Sequence, residues 1–249
     1  QKGMSRSCCQ LFRFICPRLL RTHHEEAYLT NVTAVEQLAR LCEEYKSRFI
    51  HLSTDFVFDG KIDENTGQLY TEEDAPAPVN YYGFTKWKGE EKVAEICSNY
   101  AIARVEIVYG KALPGQHGNI VQLVMNRLKA GQEIRVVSNQ WRTPTYVGDV
   151  SSGIQLLIEN TANGIFHICG NECLTIAEIA FQVADHMKLD RSLIHPATTE
   201  EMQESTPRPR FSGMSIGKAQ TILGYNPRKL QRSAHGLGKY IILGNTEFI

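Results

Sequence analysis

Between Ala27 and Val108 the apolar residues switch repeatedly between helical spacing and short continuous runs, and that alternation restricts the chain to one broad class of fold. Val32, Val35, Leu38, Leu41 and Cys42 recur at helical spacing, so residues 27–46 read as an amphipathic helix. Phe49-Ile50-His51-Leu52 is a short apolar run closing on Ser53-Thr54-Asp55, the pattern of a buried strand whose C-terminal end opens on a cleft. Residues 59–80 carry Gly60, Gly67, Pro76, Pro78 and several carboxylates, and read as a solvated surface loop with no metal site. Asn80 is placed to cap a helix running to about Asn99, and 101–108 reads as a second strand stopped by Gly110. Helix, strand, helix and strand in that order imply a parallel α/β sheet.

The alternation continues. Ile120, Leu123, Val124 and Leu128 predict a helix stopped at Gly131, followed by a strand from Ile134 to Val137. Asp149 is a candidate cap for a helix through Ile158, and Asn163-Gly164 a turn into a strand from Ile165 to Ile168. Thr175-Ile-Ala-Glu178 is a capping box opening a helix to about Met187. Residues 1–24 and the tail from Gln231 show no period that can be placed.

Composition excludes several function classes. Lys plus Arg and Asp plus Glu number 27 each, so no basic field points to nucleic acid or an anionic membrane. No stretch approaches the ~20 apolar residues of a membrane span. The 7 cysteines are irregular: Cys8 and Cys9 adjoin, and Cys16, Cys42, Cys97, Cys169 and Cys173 follow without C-x-x-C or zinc spacing. They read as reduced thiols of a cytoplasmic protein, with no metal expected.

Chemistry concentrates in two segments. On a helix, residues four apart share a face, so Tyr82 and Lys86 point the same way. A free tyrosine titrates near ~10, and a neighbouring ammonium favours the phenolate, which suits proton exchange near neutrality. Tyr82 could then act as general acid toward a carbonyl oxygen, with Thr54 hydrogen-bonding the same oxygen and Lys86 placed for a ribose. The spacing alone is weak: Tyr225-Asn-Pro-Arg-Lys229 repeats it, but Pro227 would interrupt any helix carrying it. Tyr82 differs because it follows a cap and opens a helix behind a strand ending in Ser-Thr. His51, inside that strand, reads as a satisfied core histidine.

Here the sequence resembles a family. S-T-D-F-V-F-D-G (53–60), N-Y-Y-G-F-T-K (80–86) and R-T-P-T-Y-V-G-D (142–149) look like the extended short-chain dehydrogenase/reductases, in the dTDP-4-dehydrorhamnose reductase branch. G-I-F-H-I-C-G (164–170), R-P-R (208–210) and L-G-Y-N-P (223–227) are similar to later landmarks of that branch. The resemblance covers about Glu25 to Leu230. It implies a Rossmann-like parallel sheet, incomplete at the N-terminus, with a small C-terminal α/β substrate-binding domain. Residues 1–116 would form the partial nucleotide-binding domain, and 117–249 mainly the substrate-binding region, with 144–170 returning to the Rossmann sheet.

The resemblance also implies roles. Thr54, Tyr82 and Lys86 match the catalytic set and Asp55 the acid beside it; Asn31, Ser53, Tyr82 and Lys86 would meet the cofactor, NADPH or NADH. Asn80, Arg142, Thr145, Arg208 and Arg210 would line the site of a nucleotide-sugar substrate. The reaction would be hydride reduction of a nucleotide-linked 4-keto-6-deoxysugar, and the resemblance allows a homodimer. The family's G-x-x-G-x-x-G loop, whose backbone N–H groups hold the pyrophosphate, does not occur in the sequence, and residues 1–24 do not resemble the family's third and fourth strands. A chain opening on Gln1 without that loop is expected to be N-terminally truncated and impaired in turnover. The alternative class is a non-catalytic binding or regulatory subunit of the same fold, similar to the β subunit of methionine adenosyltransferase.

Overall fold

The computed structural model describes residues 7–10, 23–111, 118–204 and 206–230. In chain order the first half comprises β1 (Ser7–Gln10), α1 (His24–Tyr28), α2 (Ala34–Glu44), β2 (Arg48–Thr54), α3 (Tyr81–Ile96), β3 (Tyr100–Val105) and β4 (Val108–Tyr109). The second half adds α4 (Ile120–Lys129), β5 (Ile134–Val137), β6 (Trp141–Arg142), β7 (Thr145–Tyr146), α5 (Val147–Glu159) and β8 (Gly164–His167). It closes with β9 (Leu174–Thr175), α6 (Ile176–Met187), β10 (Ile194–Ala197) and α7 (Gly217–Leu223).

Strands β1, β2, β3 and β8 form a parallel sheet in that order. Because successive side chains point to opposite faces, β2 and β3 feed two cores. Phe49 and Ile102 pack with Val35 and Ala39 of α2 and Val93 of α3. Ile50, Ala101 and Ala103 pack on the other side with Leu157 of α5 and Ala219 of α7. Burial on both faces explains why these strands read as continuous apolar runs. A separate core unites Val121, Val124 and Leu128 of α4, Ile179 and Val183 of α6, and the parallel pair β5 and β10.

One buried cation ties the lower end of the sheet. Arg48, at the start of β2, donates to the carbonyls of Leu157 and Ala162 and to the side chains of Asn99 and Asn163, between 2.5 and 3.1 Å. Leu157 lies in the last turn of α5, Ala162 and Asn163 between α5 and β8, and Asn99 just before β3, so a single guanidinium fastens the start of β2 to two connections.

The structure corrects several sequence expectations. Residues 27–46 are not one α-helix: α1 and α2 are joined by a π-helical turn, Leu29–Thr33, that buries Asn31 and Val32. β1 arises in a segment with no readable pattern, yet it pairs in parallel with β2 from Ser7↔Arg48 to Gln10↔His51. The strand expected over 101–108 breaks after Val105, where Ile107 takes φ 31°, and resumes as β4 beside β7. A β-branched residue in that region is strained, so the break is held by its surroundings. Asp149 does not cap α5; Tyr146 holds the cap position, and the Asp149 carboxylate in the first turn accepts from Arg228 N at 2.9 Å and Nε at 2.8 Å. Cys16 and the tail from Gln231 lie outside the described residues.

Candidate active site

The C-terminal end of β2 and the first turns of α3 meet because α3 begins and packs there. Asn80 caps the helix, its Oδ1 accepting from Gly83 N at 2.9 Å, while its Nδ2 donates to the Pro207 carbonyl at 2.9 Å. Gly83 and Gly89 present bare backbone to the carbonyls of Phe56 and Asn31, and a Cβ at either position would collide with that oxygen. The close approach puts Tyr82, Thr85, Lys86 and Glu90 on the buried side of the helix.

Lys86 is 2% exposed, and its Nζ donates to the Leu52 carbonyl at 2.6 Å. Tyr82 is buried too, its ring edge-on to Phe56 with centroids 5.8 Å apart. Thr54 Oγ1 donates to Asp55 Oδ1 at 3.0 Å and accepts from Phe56 N at 3.3 Å. Asn31 reaches the same helix, its Nδ2 donating to Thr85 Oγ1 at 3.0 Å. His51, beneath, is buried, and burial with the nearby Lys86 charge holds its imidazole well below the usual range, so it is neutral. Ser53, Thr54 and Asp55 at the end of β2 are thus brought together with Tyr82 and Lys86 of α3, and Asn31 reaches the same helix from the π-helical turn.

The residues expected along the substrate site lie in two layers. Arg208 and Arg210 are at the surface, Arg210 2.8 Å from Glu64 and over the Trp141 ring at 5.6 Å, Arg208 3.6 Å from Glu204. Arg142 and Thr145 lie beneath. The Arg142 guanidinium donates to the carbonyls of Trp141, Pro209 and Arg210 and to Gln140 Oε1. Thr145 Oγ1 bonds the carbonyls of Glu106 and Thr143 and accepts from Gly170 N. Arg142 thus shapes the loop that carries Arg208 and Arg210.

Sequence reasoning missed three residues here. Glu106, Thr143 and Ser212 are buried behind Asp55 and joined to it by hydrogen bonds. A carboxylate inside the apolar run Ala101 to Tyr109 was the available signal. The decoy tyrosine, Tyr225, follows the end of α7 and spends its hydroxyl on the Cys169 carbonyl at 3.2 Å.

Helices on both faces of a parallel sheet, with Ser-Thr-Asp closing one strand and Tyr-x-x-x-Lys opening the next helix, define an extended short-chain dehydrogenase/reductase. Within that class the chain belongs to the family described as "RmlD substrate binding domain", which matches residues 21–239. Haloferax volcanii has a similar protein, named "Probable low-salt glycan biosynthesis reductase Agl14", 30% identical over 210 residues, or 83% of this chain and 68% of the relative. The methionine adenosyltransferase 2 subunit beta of Xenopus laevis is 33% identical over 211 residues, or 83% of this chain. The chain spans 61% of that subunit's length. A crystal structure of dTDP-4-dehydrorhamnose reductase from Bacillus anthracis, in complex with NADP, superposes with a TM-score of 0.83 at 25% identity, covering 93% of this chain and 79% of that one. Among the described residues no helix is long and apolar enough to cross a membrane.

Proposed function

We propose that this chain is a reductase of a nucleotide-linked 4-keto-6-deoxysugar, of the dTDP-4-dehydrorhamnose reductase type. The observation that carries the reading is the burial of Thr54, Asp55, Tyr82 and Lys86 together at one end of β2. NADPH or NADH, when bound, supplies the hydride. Asn31, Ser53, Tyr82 and Lys86 would hold it, and two buried oxygens among them, Asn31 Oδ1 and Ser53 Oγ, have no hydrogen-bond partner among the described residues. Buried polar atoms left so are uncommon, and ribose or amide groups would satisfy them.

Tyr82 hands its hydroxyl proton to the keto oxygen, and the Thr54 hydroxyl fixes that oxygen's position. Lys86, anchored on Leu52, keeps a positive charge beside the phenol. Arg208 and Arg210 meet the diphosphate of the sugar nucleotide, Asn80 and Arg142 hold their loop, and Thr145 supports the adjoining turn. The reading includes a homodimer and a cytoplasmic protein, the latter in keeping with Cys42, Cys97, Cys169 and Cys173 lying outside any disulfide. The sequence carries no G-x-x-G-x-x-G segment, so the reading is assayed at high cofactor concentration. Tyr82→Phe tests the reading: it should lower reduction of dTDP-4-dehydrorhamnose at least ~100-fold while leaving the unfolding midpoint in place. Equal rates would contradict it.

The relatives named as methionine adenosyltransferase 2 subunit beta favour a second reading, in which the fold binds without turning over. Under it, the folded chain would associate with a methionine adenosyltransferase catalytic subunit and show no Tyr82-dependent reduction.

A further inference from the structure

Behind Thr54 lies a buried constellation that the reductase chemistry above does not use. Glu106 sits at the break between β3 and β4, 1% exposed. Its Oε1 lies 2.7 Å from the Ser212 hydroxyl, which is also 2.7 Å from Asp55 Oδ2. The other oxygen of each carboxyl is engaged as well. Asp55 Oδ1 accepts from Thr54 Oγ1 at 3.0 Å, and Glu106 Oε2 accepts both the Thr143 N–H, at 2.7 Å, and the Thr143 hydroxyl. Thr54, Asp55, Ser212, Glu106 and Thr143 thus form one unbroken chain.

Counting donors decides how that chain is protonated. Ser212 has a single hydroxyl proton and can give it to only one of its two carboxyl neighbours. The second carboxyl, at the same short distance, must itself be the donor, because facing lone pairs would repel. One of Asp55 and Glu106 is therefore a carboxylic acid. The groups facing Glu106 are the carboxyl of Asp55, the Arg142 guanidinium, whose Nε is 3.7 Å from Oε1, and the thiols of Cys169 and Cys173. The one cation is occupied by Gln140 and three carbonyls. Burial first, and the Asp55 charge second, push the Glu106 carboxyl up to about 8, which puts the proton on Glu106 at neutral pH.

We propose that Glu106 is a positioning residue that shares one proton with Asp55 through Ser212, and that the side on which the proton rests sets whether Asp55 holds the Thr54 hydroxyl or releases it toward a bound carbonyl. The transfer is balanced within the chain. The Glu106 Oε1–H bond breaks as Ser212 Oγ takes that proton, and the original Ser212 proton forms a bond to Asp55 Oδ2. As an anion, Asp55 is a strong acceptor and keeps Thr54 on Oδ1; as a neutral acid it is a weaker one, and Thr54 can turn outward. The shared proton stands on the geometry alone, whereas the release of Thr54 to a carbonyl rests on the reductase reading.

The test uses the full chain as wild type, Glu106→Gln, Ser212→Ala and Tyr82→Phe. Carboxyl ¹³C resonances are followed against pH, and kcat and KM for dTDP-4-dehydrorhamnose are measured at high NADPH. The expected wild-type spectrum shows one glutamate titrating near 8, lost in Glu106→Gln, with an aspartate resonance moving in step until Ser212→Ala uncouples them. Glu106→Gln fixes the donor on the Glu106 side, so it should lower kcat about tenfold at unchanged KM and flatten the alkaline limb of the kcat profile. A Glu106 carboxyl that titrates with ordinary carboxylates overturns the shared proton. A Glu106→Gln profile that coincides with wild type overturns the positioning role. If the resonances behave as expected but no turnover depends on Tyr82, the shared proton stands, while the reductase reading and the Thr54 role fall together.

Discussion

At the scale of single residues, the site depends on buried polar groups held by specific hydrogen bonds. Lys86 is the clearest case, its ammonium held on the Leu52 carbonyl within the packed side of α3. Lys86→Met keeps the length but removes that bond, so it should cost about 1–3 kcal/mol by denaturant unfolding as well as suppressing turnover. A variant as stable as wild type would mean that the bond contributes nothing to folding. The local part of this site was legible, because Thr54-Asp55 and Tyr82-x-x-x-Lys86 lie in continuous segments whose spacing carries their geometry. Glu106, Thr143 and Ser212 were not, since no sequence spacing connects them; they meet only where the chain breaks at Ile107 and returns after the 208–210 loop.

At the scale of elements, close backbone approach locates the chemistry. Gly83 lets α3 rest on the Phe56 carbonyl, and the same contact brings Tyr82 to the end of β2. Gly83→Ala should therefore destabilise by about 1–3 kcal/mol, although alanine is the better helix former, and should lower kcat by shifting the helix. Calorimetry and kinetics on the one variant check both, and a rise in melting temperature would contradict the packing. Two helices open where their capping signals lie: Asn80 caps α3, and the Thr175–Glu178 capping box opens α6. The π-helical turn at Leu29–Thr33, the break at Ile107 and the pairing of β1 were invisible, because tertiary contacts, not local spacing, impose them.

For the molecule as a whole, buried ionisable groups set the response to pH and to mutation. Burial, with the Arg104 charge, holds His167 at about 3, and His51 is likewise lowered, so both contribute stability that is present above pH ~6.5 and lost as pH falls. Glu106 has the opposite sign. Its folded value is raised from 4.5 to about 8, so its contribution is complete below pH 4.5 and is lost as pH rises toward 8. Above about pH 6.5 the histidine contribution levels off, and toward pH 8 stability should fall in wild type relative to Glu106→Gln. Parallel curves for the two proteins would contradict that assignment. Arg104 and Glu90 form a buried pair, 2.7 Å apart, that ties β3 to α3. Arg104→Met strands the Glu90 carboxylate and should cost about 3–5 kcal/mol, much of it recovered in the double change with Glu90→Leu.

The most direct measurement is the oxidation of NADPH by the purified chain at high cofactor concentration with dTDP-4-dehydrorhamnose, comparing wild type with Tyr82→Phe. The expected result is slow turnover in wild type that disappears in the variant, with both proteins folded by circular dichroism. Turnover that is absent in wild type, or equal in the two, would contradict the reductase reading and leave the chain as a binding subunit built on the same sheet.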